Sequence, residues 1–289
     1  MTRINYLFII FSLVVAFSLL SCTLPKKEWG DIRVPTANPS EIYGGYSAGC
    51  LDGAVQLTER HNNNFLIMRP SRHRMFAHPQ LIDFLESHAN DIGNSNLGIL
   101  AIGDLSQARG GPMSSGHASH QAGLDADIWF KRFNSFEAQV LKNQDRESYS
   151  AVSMVDNSKW QINKNWDASQ ALVLKKAASD ERVERIFVNF AIKKQLCQSF
   201  KGQTWLSKIR PWWGHQYHYH VRLTCPQDSP NCKAQKRVSS TDGCDKSLNW
   251  WFSEDAHRPK QVKSESIEKQ KPKELILPKQ CHSVLNAQA

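Results

Sequence analysis

Six cysteines, left once a seventh is set aside, constrain this chain more than any other feature. The seventh, Cys22, stands directly behind an almost unbroken apolar run over residues 6–20, with Arg3 ahead of it. A positive start, a short apolar stretch and the small Ser21 have the layout of a secretory leader. The run is too short to span a bilayer comfortably. The remaining Cys50, Cys197, Cys225, Cys232, Cys244 and Cys281 form an even set in a chain expected outside the cytosol, which reads as three disulfides stapling one fold. No C-x-x-C pair occurs, so zinc held by thiolates is not expected. Spacing suggests only Cys225–Cys232, where Pro226 and the Pro230-Asn231 pair frame a short turn-rich loop. The other pairings stay open.

The order Leu19-Leu20-Ser21-Cys22 resembles the lipobox of bacterial lipoproteins, whose cysteine becomes the acylated mature N-terminus. Several acyl chains on Cys22 would make a stable anchor, and Thr23 in place of an aspartate implies the outer membrane. The plain alternative is a soluble periplasmic protein cut near Ser21. The expected organisation is a signal peptide over 1–21, a lipid-anchored tether over 22–42, a folded domain over 43–258 and a basic tail over 259–289. Cys281 would pin the far end of that tail. The net charge is +9, and the leader contributes only Arg3 to it. Such a balance suits an anionic lipid surface or an anionic wall polymer; nucleic acid is not expected as a partner of an exported chain. The lysine-rich stretch 260–279 reads most simply as a solvated tail.

From residue 43 onward the pattern is globular. Apolar Leu81, Ile82, Phe84, Leu85 and Ile92 form a helical stripe over 78–92. Strands are predicted at 97–102, 124–130, 185–189 and 216–223, and helices at 135–142, 167–179 and 191–200. Residues 103–116 are too rich in Gly and Ser for a core element. Strands and helices mix without regular alternation, which predicts an α+β fold. One domain is expected, with a central, mainly antiparallel sheet carrying the metal site.

Five of the eleven histidines fall in two short windows: His117 and His120 in one, His215, His218 and His220 in the other. In an extended strand, side chains repeat every two residues, so His218 and His220 share a face. Asp127 lies in a predicted strand behind His120 and offers a charged oxygen. Two neutral imidazoles and one carboxylate make a three-ligand zinc site with a fourth position left for water, which suits hydrolysis. A further histidine beside it would move the proton. Taken singly, each part has an ordinary reading: a His-x-His arises by chance, an aspartate after a Gly-rich loop is often a turn residue, and Trp212, Trp213, Tyr217 and Tyr219 suit a core or a surface platform.

Three stretches carry a family resemblance: residues 115–128 (Ser-Gly-His-Ala-Ser-His-Gln-Ala-Gly-Leu-Asp-Ala-Asp-Ile), 185–189 (Arg-Ile-Phe-Val-Asn) and 210–226, with Arg-Pro-Trp-Trp and His-x-His-Val-Arg-Leu-x-Cys-Pro. They resemble the penicillin-insensitive murein endopeptidases, relatives of lysostaphin-type enzymes, D-Ala-D-Ala metallopeptidases and hedgehog domains. The likeness spans most of residues 43–283. It implies zinc on His120, Asp127 and His220, with His218 as base. It also implies an additional metal site on His117, an aspartate matched by Asp156, and a histidine that Asn157-Ser158-Lys159-Trp160 does not supply. It pairs the cysteines as Cys50–Cys281, Cys197–Cys244 and Cys225–Cys232. The implied substrate is peptidoglycan, cut at the D-alanyl–meso-diaminopimelyl bond by an activated water, so that penicillin finds no serine to acylate. His215 would face away in a regular strand, or bend into the cleft after Gly214 to contact substrate or position water. Asp125 shares the parity of Asp127 and is placed to orient a ligand. Arg210 and Arg222 suit a substrate carboxylate or, more plainly, surface ion pairs. Competing functions are a zinc D,D-carboxypeptidase or dipeptidase on uncross-linked stems, and a non-catalytic wall-binding lipoprotein.

Overall fold

In the central sheet the strands Asp125–Trp129 and His218–Leu223 alternate apolar with polar residues, whereas Phe65–Ile67 and Leu100–Ile102 are apolar throughout. The computed structural model describes residues 28–60, 64–142, 146–258 and 275–288. The leader, Cys22 and the lysine-rich stretch up to 274 lie outside the described residues. In chain order the strands and helices are β1 (Glu41–Gly45), β2 (Ala48–Asp52), β3 (Val55–Gln56), β4 (Phe65–Ile67), β5 (Phe76–Ala77), α1 (Pro79–Asn94), β6 (Leu100–Ile102), β7 (Asp125–Trp129), α2 (Ser135–Lys142), β8 (Val155–Asp156), β9 (Gln161–Ile162), α3 (Ala168–Ser179), β10 (Val183–Asn189), α4 (Phe190–Phe200), β11 (Ile209–Trp212), β12 (His218–Leu223), α5 (Glu254–His257) and α6 (Lys279–Asn286). The central order is β11-β10-β12-β7-β6-β4. Its three inner pairings are antiparallel, and the two outer ones, β11 on β10 and β4 on β6, are parallel.

The alternation fixes what each face carries. Tyr219, Val221 and Leu223 of β12 and Ala126 and Ile128 of β7 enter the main core, with Leu81, Phe84, Leu85 and Ile92 of α1 and Val173 and Leu174 of α3. On the opposite face stand His218, His220 and Arg222 from β12 and Asp125, Asp127 and Trp129 from β7. The antiparallel register sets His220 beside Asp127, His218 beside Trp129 and Arg222 beside Asp125. A slip of one residue would turn the imidazoles into the core. The helices are set by local signals as well: the Asp167 side chain and Gln170 form a capping box at α3, and Asn189 caps α4.

All three disulfides implied by the resemblance are present, Cys50–Cys281, Cys197–Cys244 and Cys225–Cys232. The first ties α6 to β2 across 231 residues of chain. The segment expected as a tether is already packed before residue 43. Trp29 joins Cys50, Cys281 and Val284 in a small buried cluster, and Thr36 and Asn38 bond to the Asp52 carboxylate. An indole and a β-branched residue give this stretch enough apolar surface to adhere.

One buried titratable group in the core predicts an acid-sensitive fold. His88 of α1 is 5 % exposed, and its Nε2 meets the Tyr219 hydroxyl at 3.1 Å. Burial lowers its pKa to about 4, against the opposing pull of Asp91 and Asp180. The folded value lies below the unfolded one, so the stability it confers is complete above about 6.5 and is lost as pH falls toward 4. Wild type is expected to lose about 3 kcal/mol more than His88→Gln between pH 7 and pH 4, from the size of the shift. Denaturant titrations at the two pH values measure it, and equal losses would refute it.

Candidate active site

His120 reaches the site from the Gly-rich loop that precedes β7. Its backbone is left-handed at φ 67°, and its N–H donates to Asp125 Oδ2 at 3.0 Å. Nδ1 lies 3.0 Å from the Leu105 carbonyl, so it carries the hydrogen and Nε2 keeps its lone pair. That Nε2 is buried and faces Asp127 Oδ1 at 3.5 Å. Neither atom has a hydrogen-bond partner among the described residues. Orphaned buried polar atoms are uncommon, and two of them turned toward each other fit a cation between them.

Three more imidazoles converge on the same carboxylate. His220 Nδ1 is 3.3 Å and His218 Nε2 3.5 Å from Asp127 Oδ1, and His117 Nδ1 is 3.7 Å from Oδ2. The ligand atoms of His117, His120 and Asp127 all lie within 4.8 Å of one another. Burial opposes ionisation of Asp127, but the imidazoles of His218 and His120 hold its carboxyl well below the usual range. Burial pushes the His120 and His218 imidazoles down. His220 behaves differently: against burial, Asp125 and Asp127 raise it to about 9, so a cation would displace a proton there.

Supporting contacts hold these side chains in place. Asp125 is fully buried; its Oδ1 receives His220 Nε2 at 2.8 Å and Arg222 Nε at 2.6 Å. Arg222 and His220 outweigh the burial of Asp125 and keep it ionised. Arg222 is therefore a buried partner of Asp125, neither a surface ion pair nor a free receptor, because its register position opposes Asp125. Arg210 is half-buried on β11, outside the cleft, and burial lowers its pKa. His215 bends inward at φ 54° after the left-handed Gly214. Its ring stands 5.0 Å from that of His218 and 5.9 Å from that of His220. Nδ1 donates to the Trp213 carbonyl at 2.6 Å, and with His218 nearby, burial holds this imidazole near 4.

The residue expected to share a metal with His117 is elsewhere. Asp156 sits at a turn, where it accepts from the Ser158 N–H at 3.0 Å and from its hydroxyl at 2.6 Å. Its carboxylate caps its own chain, the ordinary fate of an Asp two residues before a Ser. His117 instead pairs with Asp104, whose Oδ2 lies 2.9 Å from Nε2. Burial would raise Asp104, but hydrogen bonds from His117 and Arg74 and the charge of Arg72 bring it to about 2. Sequence reasoning missed Asp104; its one signal is a carboxylate two residues beyond the apolar run 97–102. Tyr219 is core, whereas Trp212, Trp213 and Tyr217 are exposed around the site.

Two clefts deserve comparison. The larger, about 690 Å³, runs between the β1–β2 hairpin and residues 276–280 and contains none of these histidines. The smaller, about 450 Å³, is lined by Asp104, His117, Asp127 and His218. Chemistry, not size, marks the second.

The family model of penicillin-insensitive murein endopeptidases matches residues 42–286. The chain belongs to that family. A penicillin-insensitive murein endopeptidase of Pectobacterium atrosepticum is 38% identical over 282 residues, covering 96% of this chain and 95% of the relative. One from Yersinia enterocolitica is 38% identical over 85% of this chain and 88% of its own length. One from Haemophilus influenzae is 36% identical over 96% and 94%. Family membership makes the chain a peptidase, and the convergence of imidazoles on Asp127 is where a metallopeptidase would hold its ion.

Proposed function

We propose that the protein is a zinc-dependent endopeptidase that hydrolyses the D-alanyl–meso-diaminopimelyl cross-links of peptidoglycan. It would act in the periplasm, anchored to the outer membrane through lipid on Cys22. The observation that carries the reading is the pair of buried, unpartnered atoms, His120 Nε2 and Asp127 Oδ1, with His220 Nδ1 at 3.3 Å from the same oxygen. His120, Asp127 and His220 would hold the zinc, one nitrogen or oxygen each. When bound, zinc supplies a Lewis acid for the scissile carbonyl and lowers the pKa of water to near 7.

The chain's own groups do the rest. The Leu105 carbonyl and Asp125 fix the tautomers that turn His120 Nε2 and His220 Nδ1 toward Asp127. His218 Nε2 lines the open cleft and is placed to accept a proton from the attacking water. The same nitrogen returns it to the leaving amine. His215 Nε2 is free to orient water or substrate, since Nδ1 is occupied by Trp213. His117, held by Asp104, faces the other Asp127 oxygen. No serine is needed as nucleophile, so penicillin has nothing to acylate.

The purified protein is expected to convert cross-linked muropeptide dimers into monomers. A chelator should stop the reaction, stoichiometric zinc should restore it, and excess penicillin should leave the rate unchanged. Release of terminal D-alanine without monomer formation would mean a carboxypeptidase. Full activity after metal removal would sink the proposal.

A further inference from the structure

Arg69 and Arg72 both wall the cleft beside His117 and His218, and they are not equivalent. Arg72 Nη1 bonds Asp104 Oδ2 at 3.0 Å, and Arg74 Nη1 reaches the same oxygen at 2.9 Å. Both guanidiniums are thus engaged by that carboxylate. The Arg69 side chain has no hydrogen bond or ion pair among the described residues, and its Nε is buried without an acceptor. Its guanidinium carbon stands 5.8 Å from the Trp129 ring, which orients the fork without neutralising it. A part-buried cation without a counterion is unfavourable unless something else brings the negative charge.

The backbone reinforces the point. Arg69 holds φ 56° and ψ 53°, a left-handed conformation that residues with a Cβ rarely adopt. Next to it, the Met68 N–H bonds the Ile102 carbonyl at 2.8 Å, so the sheet holds the chain in place up to this turn. Strain kept in this way beside a cluster of titratable groups marks a functional position.

We infer that Arg69 is the carboxylate receptor of the cleft, reading the free carboxylate on the carbon bonded to the scissile nitrogen. The inference deepens the proposed function and rests on it. In a D-alanyl–meso-diaminopimelyl link that carbon bears a carboxylate; in a lysine-type cross-link it bears only hydrogen. A guanidinium offers two parallel N–H donors to such a group. The other charged groups lining the cleft do not serve: Asp104 and Asp127 repel a carboxylate, and Arg72 is already paired. Arg69 reads the substrate and moves no proton.

The test uses the zinc-loaded full chain in a His218→Ala background, which binds dimer without turning it over. Two probes are compared: a diaminopimelate-linked muropeptide dimer, and the same dimer with the carboxylate next to the cross-link converted to carboxamide. The carboxylate dimer is expected to bind roughly 10- to 100-fold tighter, the range of a charge-assisted hydrogen-bonded pair. Adding Arg69→Gln should erase that preference, leave binding of the carboxamide dimer unchanged and retain the zinc. Arg69→Lys should restore part of it. No preference with Arg69 in place, or a preference that survives Arg69→Gln, overturns the inference. Turnover of the two dimers by wild type separates this from the reading beneath it. Arg69-dependent binding with neither dimer cleaved would fell the endopeptidase and leave the receptor standing. Cleavage of both at equal rates would do the reverse.

Discussion

His220→Ala is expected to leave the protein without stably bound zinc and to cut kcat/KM on cross-linked dimers by on the order of 10³-fold or more. The size follows from losing several kcal/mol of transition-state stabilisation that a bound ion supplies. His220 is one of three proposed ligands, and a tetrahedral site with two protein ligands holds zinc poorly. The fold should survive. Asp125 would keep its bonds to Arg222 Nε and to the His120 N–H, and Asp127 would still face the imidazoles of His120 and His218. Phe187, whose ring stands 5.3 Å from that of His220, would line a small void, and the melting temperature should fall only modestly. Metal analysis after dialysis, alongside dimer digestion, measures both effects. Stoichiometric zinc and wild-type turnover in this variant would show that the ion sits elsewhere, with His117, His120 and Asp127 the alternative set.

The site was legible in the sequence wherever one strand alone decides the geometry. A period of two puts His218 and His220 on one face and Asp125 with Asp127 on another strand's face, and β12 and β7 carry them so. The parity argument also found Asp125, which does orient His220. Register between strands is a tertiary fact, so no spacing could show that His220 opposes Asp127. For the same reason Asp104 stayed hidden: it approaches His117 from the loop after β6. Arg69 was out of reach because its conformation, not its neighbours in sequence, singles it out. The resemblance matched Asp156 by residue type alone, and in the structure its carboxylate accepts from Ser158. The long first helix followed from its apolar stripe, whereas β3, β5, β8 and β9 are two residues each, too short for any period to register. Of the disulfides, only Cys225–Cys232, seven residues apart, was suggested by the residues themselves. Cys50 and Cys281 meet only because the whole domain folds between them.

His218→Ala is expected to part from His220→Ala in one observable: it should retain zinc while losing 10²- to 10⁴-fold in kcat, the range of a positioned general base. The separation rests on where each ring points. His220 is 5 % exposed, with both nitrogens engaged by carboxylates. The His218 side chain is 25 % exposed and opens on the cleft, with Nε2 at 3.5 Å from Asp127 Oδ1. Burial lowers its pKa, so at neutral pH it is an unprotonated acceptor, as a base must be. His218→Gln discriminates between moving a proton and holding a position. Glutamine can hydrogen-bond a water but cannot carry its proton away, so it should be as slow as alanine, with KM near the wild-type value. A glutamine variant close to wild-type rate would make His218 a positioning group and leave His215, whose ring is 5.0 Å away, as the remaining imidazole able to take the proton.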